Sequence, residues 1–309
     1  MLDTIIGALL PIVITLLLGV LAGWHKDFNI EQATILNQMV MLYALPLTLF
    51  SSMVLIPKEQ LVSDWGLFFL ICIAMIGGFL GVFLISRIVF KQDLGSAALQ
   101  ALAISGPAVP FVGVPVLGYL FGIESAVAIA ISSIIMNLFQ VPVSLVLLSI
   151  STLSESNKNN FYKHILNALR QPVVWAPLLA LVFIVFNIQF PTSINDSLTL
   201  LGKATGGVAL FASGIVLFAQ RVTLNFPVVI SVISRNIIIP FIVWLLAMLL
   251  QLPHEQTMES VLSMAIPTAS ITVILAVQYH TAEREMASIL FISTTLSIIT
   301  MGLFIWLLK

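Results

Sequence analysis

Residues 105–115 read SGPAVPFVGVP, with three prolines, Pro107, Pro110 and Pro115, inside an otherwise apolar run. Each proline lacks a backbone N–H, and its ring clashes with the helical turn before it. A regular helix does not pass through such a stretch unbroken. What the break means depends on its surroundings. The chain of 309 residues is 60% hydrophobic and 8% charged, where soluble domains carry roughly 25% charged residues. Long apolar runs recur along the whole length, the pattern of a polytopic membrane protein. Lipid offers no partner to an unpaired N–H or C=O, so the spans must be helices. A break at membrane depth must be enclosed by protein or face a water-filled cavity.

Ten spans are expected, near residues 5–24, 33–55, 64–89, 94–121, 125–150, 172–189, 195–219, 227–250, 257–280 and 284–308. Crossing the hydrocarbon core takes about 20 residues. The leading MLDT carries an acid and no cation, so the first run reads as a retained span rather than a signal peptide. Residues 151–171, STLSESNKNNFYKHILNALRQ, are the most polar stretch and divide the chain into halves 1–150 and 172–309. Loops after odd-numbered spans hold Lys26, Arg87, Lys91, Lys158, Lys163, Arg170, Arg221 and Arg284, against Lys58 and Lys309 on the opposite side. The positive-inside rule then places loop 151–171 in the cytoplasm and both termini outside the cell membrane.

The halves resemble each other. Ser105-Gly106-Pro107 in span 4 corresponds to Ala265-Ile266-Pro267 in span 9, and Glu124 and Glu283 follow those prolines by 17 and 16 residues. Five spans per half is an odd number, so the second copy enters the membrane in the opposite direction. The expected fold is an all-α polytopic membrane protein. Its ten transmembrane helices form a 5+5 inverted repeat with broken crossover helices 4 and 9, an NhaA-like plan that belongs to secondary transporters.

A break exposes two helix ends. The second halves of spans 4 and 9 start near Ala108–Val112 and Thr268–Ile271, and each start presents unpaired N–H groups and partial positive charge. Two such ends at the midplane suit an anion, most naturally a carboxylate. Ser105, Gly106, Pro107, Pro110, Gly113, Pro115 and Pro267 are expected to form the breaks. Backbone amides around Ala108, Val109, Ala269 and Ser270 would take the carboxylate, with hydroxyls from Thr268, Ser270 and Thr272. Pro11, Pro46, Pro142, Pro177 and Pro240 read as simple kinks.

Arg235 lies inside span 8, roughly 12 Å below the membrane edge at 1.5 Å per residue, and all thirteen Asp and Glu lie in loops or at span ends. A cation at that depth needs a partner; the candidates are the carbonyl ends of the broken helices or the substrate. Lys203, near the outer end of span 7, reads as snorkelling to the interface. Asn37 and Asn137 suit interhelical hydrogen bonds. Asn137 has the better claim on the site because span 5 follows broken span 4.

Other chemistries find little support. Net charge is −1, with no basic patch to suggest nucleic acid. Cys72 is the only cysteine, and His25, His164, His254 and His280 are dispersed. No metal, cofactor or disulfide is expected, and no constellation for enzymatic chemistry is present. A cation-coupled carrier of the bile-acid or Na⁺/H⁺ type would want acidic ligands within the membrane. A membrane sensor would want a signalling segment longer than 151–171.

The blocks around these residues resemble the auxin efflux carrier family, which includes bacterial malate and malonate permeases and plant auxin exporters. Span 4, SGPAVPFVGVPVL, is similar to the plant pattern S-x-P-N-T-L-V-M-G-I-P-L-L. Span 9, IPTASITVILAVQY, is similar to L-P-Q-G-I-V-P-F-V-F-A-K-E-Y, and span 2, NQMVMLYALPLTLF, to N-R-F-V-A-x-F-A-V-P-L-L-S-F. The three blocks occur in order along the whole chain. The plant Asn is Ala108 here, the Gln is Thr268 and the Lys is Val277, so contacts expected for auxin are partly missing. The short central loop looks bacterial. The resemblance implies a moving domain of spans 3–5 and 8–10 and a scaffold of spans 1, 2, 6 and 7 with a homodimer interface. It also implies elevator-like alternating access and a small carboxylate substrate of malate or malonate type, with an indole carboxylate as the alternative.

Overall fold

The computed structural model describes residues 2–55, 65–122, 125–151, 170–186, 188, 191–220 and 222–308. Outside them lie Glu124, positions 152–169 of the central loop, and Lys58, Lys158, Lys163, Arg221 and Lys309. The described side chains do not include those of Pro110 and Pro115.

The described backbone is helical, and its one bridge of the β type joins Pro107 to Thr268. In chain order the helices are α1 (Leu2–Trp24), α2 (Ile30–Met39), α3 (Leu45–Met53), α4 (Trp65–Cys72), α5 (Gly78–Ile88), α6 (Leu94–Ser105), α7 (Val114–Phe121), α8 (Ser125–Ile135) and α9 (Val141–Ser151). The second half holds α10 (Pro172–Val185), α11 (Thr192–Gly202), α12 (Ala204–Gln220), α13 (Phe226–Ile233), α14 (Ile239–Leu249), α15 (His254–Ala265), α16 (Ile271–Gln278) and α17 (Glu283–Leu307). Six helical rods among the described residues are long and apolar enough to cross a membrane: Ile30–Ser51, Trp65–Ile88, Val127–Ser151, Thr192–Ala219, which has a turn at Lys203, Phe226–Leu249 and Glu283–Leu307. Leu10–Trp24, Leu94–Ser105 and Pro172–Val185 are shorter apolar helices. Spans 4 and 9 do not count as rods because each is two half-helices, α6 with α7 and α15 with α16.

Several rods contain one wide π turn: Val40–Ala44, Ile73–Gly77, Val109–Gly113, Met136–Gln140 and Ser234–Ile238. Four of these five are followed, two residues on, by a proline: Pro46, Pro115, Pro142 and Pro240. Proline removes an N–H from the helical ladder and needs room beside the carbonyl four residues back, and a π turn supplies that room without ending the helix. Of the prolines read as kinks, Pro46, Pro142 and Pro240 thus mark local widening, while Pro11 and Pro177 lie inside α-helices. Segment lengths also recur between the halves. Trp65–Cys72, Ile73–Gly77 and Gly78–Ile88 have 8, 5 and 11 residues, as do Phe226–Ile233, Ser234–Ile238 and Ile239–Leu249. The half-helices match as well, with 12 residues in α6 and α15 and 8 in α7 and α16.

Large apolar side chains point outward, among them Leu200, Leu249, Ile299 and Trp306, while hydroxyl residues such as Ser213, Ser231, Ser260, Ser288 and Ser297 are buried. An apolar exterior around an apolar core that also holds hydroxyls suits lipid, where helices associate through close packing and polar contacts. α1 packs on α12, α10 and α11 pack on α3, and α12 also meets α2. Another group joins α5 to α6, α6 to α9, α4 to α8, α14 to α15, and α13 to α17, and α17 also packs on α1 and α12 of the first group.

The tightest contact is between α1 and α12. A Cβ on Gly19 would lie 2.0 Å from the Phe211 carbonyl oxygen, and one on Gly214 would lie 2.1 Å from that of Leu16. The two backbones touch there, so only glycine fits. At the start of α6, Asp93 caps the helix by accepting from the Ser96 N–H at 2.9 Å. Partial burial alone would raise the Asp93 carboxyl, but hydrogen bonds from Ser96 and neighbouring amides outweigh it and hold the carboxyl below its ordinary value.

Gly19→Leu or Gly214→Leu is expected to cost ~3 kcal/mol or more by forcing atoms into a packed contact, read as a lowered melting temperature in detergent. Asp93→Ala is expected to cost about 1 kcal/mol through the lost cap. Because the folded carboxyl is held low, that difference is present above the unfolded carboxylate value and disappears as pH falls through the folded one. Melting curves of both proteins from neutral to acid pH check this.

Candidate functional site

Proline shapes the breaks from both sides. It disfavours helical geometry at the residue before it. Gly106, ahead of Pro107, has ψ 95°, and Ile266, ahead of Pro267, has ψ 137°. Both chains therefore leave their helices extended. They run antiparallel past each other, with the Ala108 N–H donating to the Pro267 carbonyl at 2.9 Å and the Ala269 N–H to the Gly106 carbonyl at 3.1 Å. The two breaks meet there.

The end of α6 leaves a run of carbonyls without helical partners, and each finds a donor on another segment. The Thr268 hydroxyl donates to Ala103. Arg235 Nη1 donates to Ile104 at 2.9 Å, and Gln140 Nε2 to Ser105 at 3.2 Å. Arg235 also donates to Ile266, past the end of α15, from Nε at 3.0 Å and Nη2 at 2.6 Å. Its side chain is fully buried, 0% exposed. One guanidinium thus joins the carbonyl ends of both first half-helices. Each helix C-terminus carries roughly half a negative charge, so two of them about match one cation. Of the two partners the sequence left open for Arg235, these contacts are with the carbonyl ends.

The opposite ends are arranged differently. The Thr268 N–H donates to Ser293 Oγ at 3.3 Å, and that hydroxyl donates to Asn236 Oδ1 at 2.6 Å. Asn236 Nδ2 returns a bond to the Ser293 carbonyl at 2.9 Å. The first turn of α16 borders the smaller of two cavities, and Ser270, just before it, borders both, as does Ala108. The smaller, of about 40 Å³, is nearly apolar, with Leu45, Leu49, Asn137, Ala269 and Ile274 on its walls. The larger, of about 400 Å³, reaches Thr15, Lys203, Pro267, Thr268 and Thr294.

The residues expected at the site therefore separate. Ala108 and Ser270 touch both cavities; Asn137 and Ala269 touch the small one, and Pro267 and Thr268 the large one. Thr268 and Thr272 do not offer free hydroxyl protons: the first donates to Ala103, and the second to Ala269 at 2.7 Å within its own turn. Val109 is buried and lines neither cavity. Ser105 is spent within the break, donating to Ala101 at 2.7 Å and accepting from Gln140 at 3.0 Å. Asn137 donates to Met53 Sδ at 3.7 Å. Sequence reasoning missed Gln140, Asn236 and Ser293. The first two are polar residues within apolar spans, in the same π turns as Asn137 and Arg235, and that shared position was the available signal. Lys203, read as snorkelling, lies on the wall of the larger cavity.

Apolar rods, two interrupted helices crossing beside a buried cation, and cavities flanking the crossing are the construction of a membrane transporter. Comparison with known proteins agrees. A family model described as membrane transport protein matches residues 4–305. The chain is 30% identical over 308 residues to the uncharacterized transporter YfdV of Escherichia coli K12, covering 99% of this chain and 98% of that protein. It is 26% identical over 317 residues to the uncharacterized transporter MJ1031 of Methanocaldococcus jannaschii, covering 97% and 98%. The chain belongs to the auxin efflux carrier family of membrane transport proteins.

Arg235→Ala is expected to strip donors from two buried helix ends and to cost about 3–5 kcal/mol. Arg235→Lys should recover only part of this, since an ammonium lacks the forked donor geometry of a guanidinium. Thermal unfolding of the two variants beside wild type, with yield in the membrane fraction, reads the difference.

Proposed function

We propose that the protein is a secondary transporter for small organic anions of the malate or malonate type, working by elevator-like alternating access in the cell membrane. The observation that carries the proposal is the division of charge at the crossing. Arg235 takes the negative ends of α6 and α15, while the start of α16 borders open cavities. A site with its negative poles neutralised and a positive pole exposed favours negative guests. The amides of Ala108, Ala269 and Thr268, which the sequence offered, are bonded within the crossing, so the carboxylate would be held by the amides at Ser270 and the start of α16. The relatives are transporters by name, and those names carry no substrate.

The matched 8–5–11 segments, and the matched half-helices, support a 5+5 inverted repeat with helices 4 and 9 as the crossover. The two packing groups support a scaffold of spans 1, 2, 6 and 7 beside a moving unit of spans 3–5 and 8–10. Scaffold surfaces would meet in a homodimer. With the cationic loops in the cytoplasm, both termini lie outside.

Purified protein in liposomes, offered labelled malate, malonate, lactate and indole-acetate in turn, tests the reading. Malonate and malate are expected to accumulate, with indole-acetate a poor substrate. Ala108→Leu, which puts a bulky side chain between the two cavities, should reduce malonate uptake at least ~10-fold, the scale of losing hydrogen bonds to a charged group. Saturable uptake of indole-acetate alone, or of none of the four, would reject the substrate class.

A further inference from the structure

Among the described residues on the wall of the larger cavity, Lys203 alone is charged. Its placement is built into the fold. α11 ends at Gly202 and α12 begins at Ala204, so Lys203 is the one residue between them. The Thr48 hydroxyl lies 2.7 Å from the Gly202 carbonyl and 2.9 Å from the Thr205 hydroxyl, tying α3 to both sides of the irregularity. A Cβ on Gly202 would lie 3.0 Å from Thr48 Oγ1 and 3.3 Å from its backbone nitrogen. The close approach of α3 thus depends on glycine, and the next residue is presented to the cavity.

Lys203 makes no ion pair among the described residues, where the one pair is His280 with Glu283. Its side chain is exposed. The same cavity is bordered by Ser270, at the start of α16, on a different element. An ammonium and a helix N-terminus, contributed by separate helices to one cavity, both attract negative charge. A monocarboxylate satisfies one of them. A small dianion has a negative group for each.

We infer that Lys203 is a specificity-determining residue, which binds the second carboxylate of a dicarboxylate whose first lies at the crossing. This inference rests on the carboxylate reading of the site and adds to it the group that tells two charges from one. Lys203 supplies the counter-charge in the cavity, since Arg235 is bonded to backbone carbonyls.

Binding to purified protein, measured by titration calorimetry with malonate and with monomethyl malonate, tests it. The ester keeps one carboxylate and the carbon skeleton and removes the other charge. Wild type is expected to bind malonate at least ~10-fold more tightly than the ester, as a hydrogen bond to a charged group implies. Lys203→Gln should abolish that preference by weakening malonate binding alone, and Lys203→Arg should keep it. Unchanged melting temperatures in both variants would show that the effect is not one of folding. A Lys203→Gln protein that still prefers malonate by the wild-type ratio overturns the assignment of Lys203 and leaves the carboxylate site standing. Wild type that binds neither compound overturns the carboxylate reading and this inference with it.

Discussion

Two helices that stop short of the far side of a membrane leave carbonyl groups that neither lipid nor helix can satisfy. The fold is organised around that deficit. Arg235 alone supplies three donor atoms, and Thr268, Gln140 and Ala269 supply the rest along the end of α6. A buried cation is ordinarily a liability. Here the two helix termini that require it also neutralise it, so neither the charge nor the breaks could persist without the other. The negative poles are thereby consumed internally, while Ala108 and Ser270, ahead of the second half-helices, border the cavities.

The π turns do related work at longer range. Each admits a proline two residues on, or in the case of Ile73–Gly77 a pair of glycines, Gly77-Gly78. A π turn also inserts an extra residue and shifts the face presented by everything after it. Arg235, Asn236, Asn137 and Gln140 all sit in such turns, and Gln140 draws on the carbonyl of Met75 in a third at 2.9 Å. The polar cluster under the crossing is thus assembled from locally widened stretches of otherwise regular rods.

Much of this was legible in the sequence. The run near 64–89 is the rod Trp65–Ile88, and that near 227–250 is Phe226–Leu249, because hydropathy in lipid is a one-dimensional property. The breaks were legible because proline acts on its immediate neighbours: Gly106 and Ile266 adopt the extended geometry that a following proline imposes. The two choices for Arg235 could be stated from burial and the absence of nearby acids. What escaped was everything that depends on which helix faces which. No local pattern indicates that Gln140 meets Ser105, that Ser293 links Asn236 to Thr268, or that Thr48 bonds to Gly202 and Thr205 on either side of Lys203. The π turns left a local trace, but an X-Pro pair reads equally well as a plain kink until the ladder around it is seen.

The backbone contact of Gly19 and Gly214 leaves α1 and α12 no clearance to slide. These two helices carry Pro11, Ile12, Thr15, Gly206, Gly207 and Leu210 of the larger cavity, so that side of it is in effect a single rigid plate. The crossing, with Leu290 and Thr294 of α17, forms the facing wall. Lys203, immediately before α12, stands at the edge of that plate, on the cavity wall shared with the crossing.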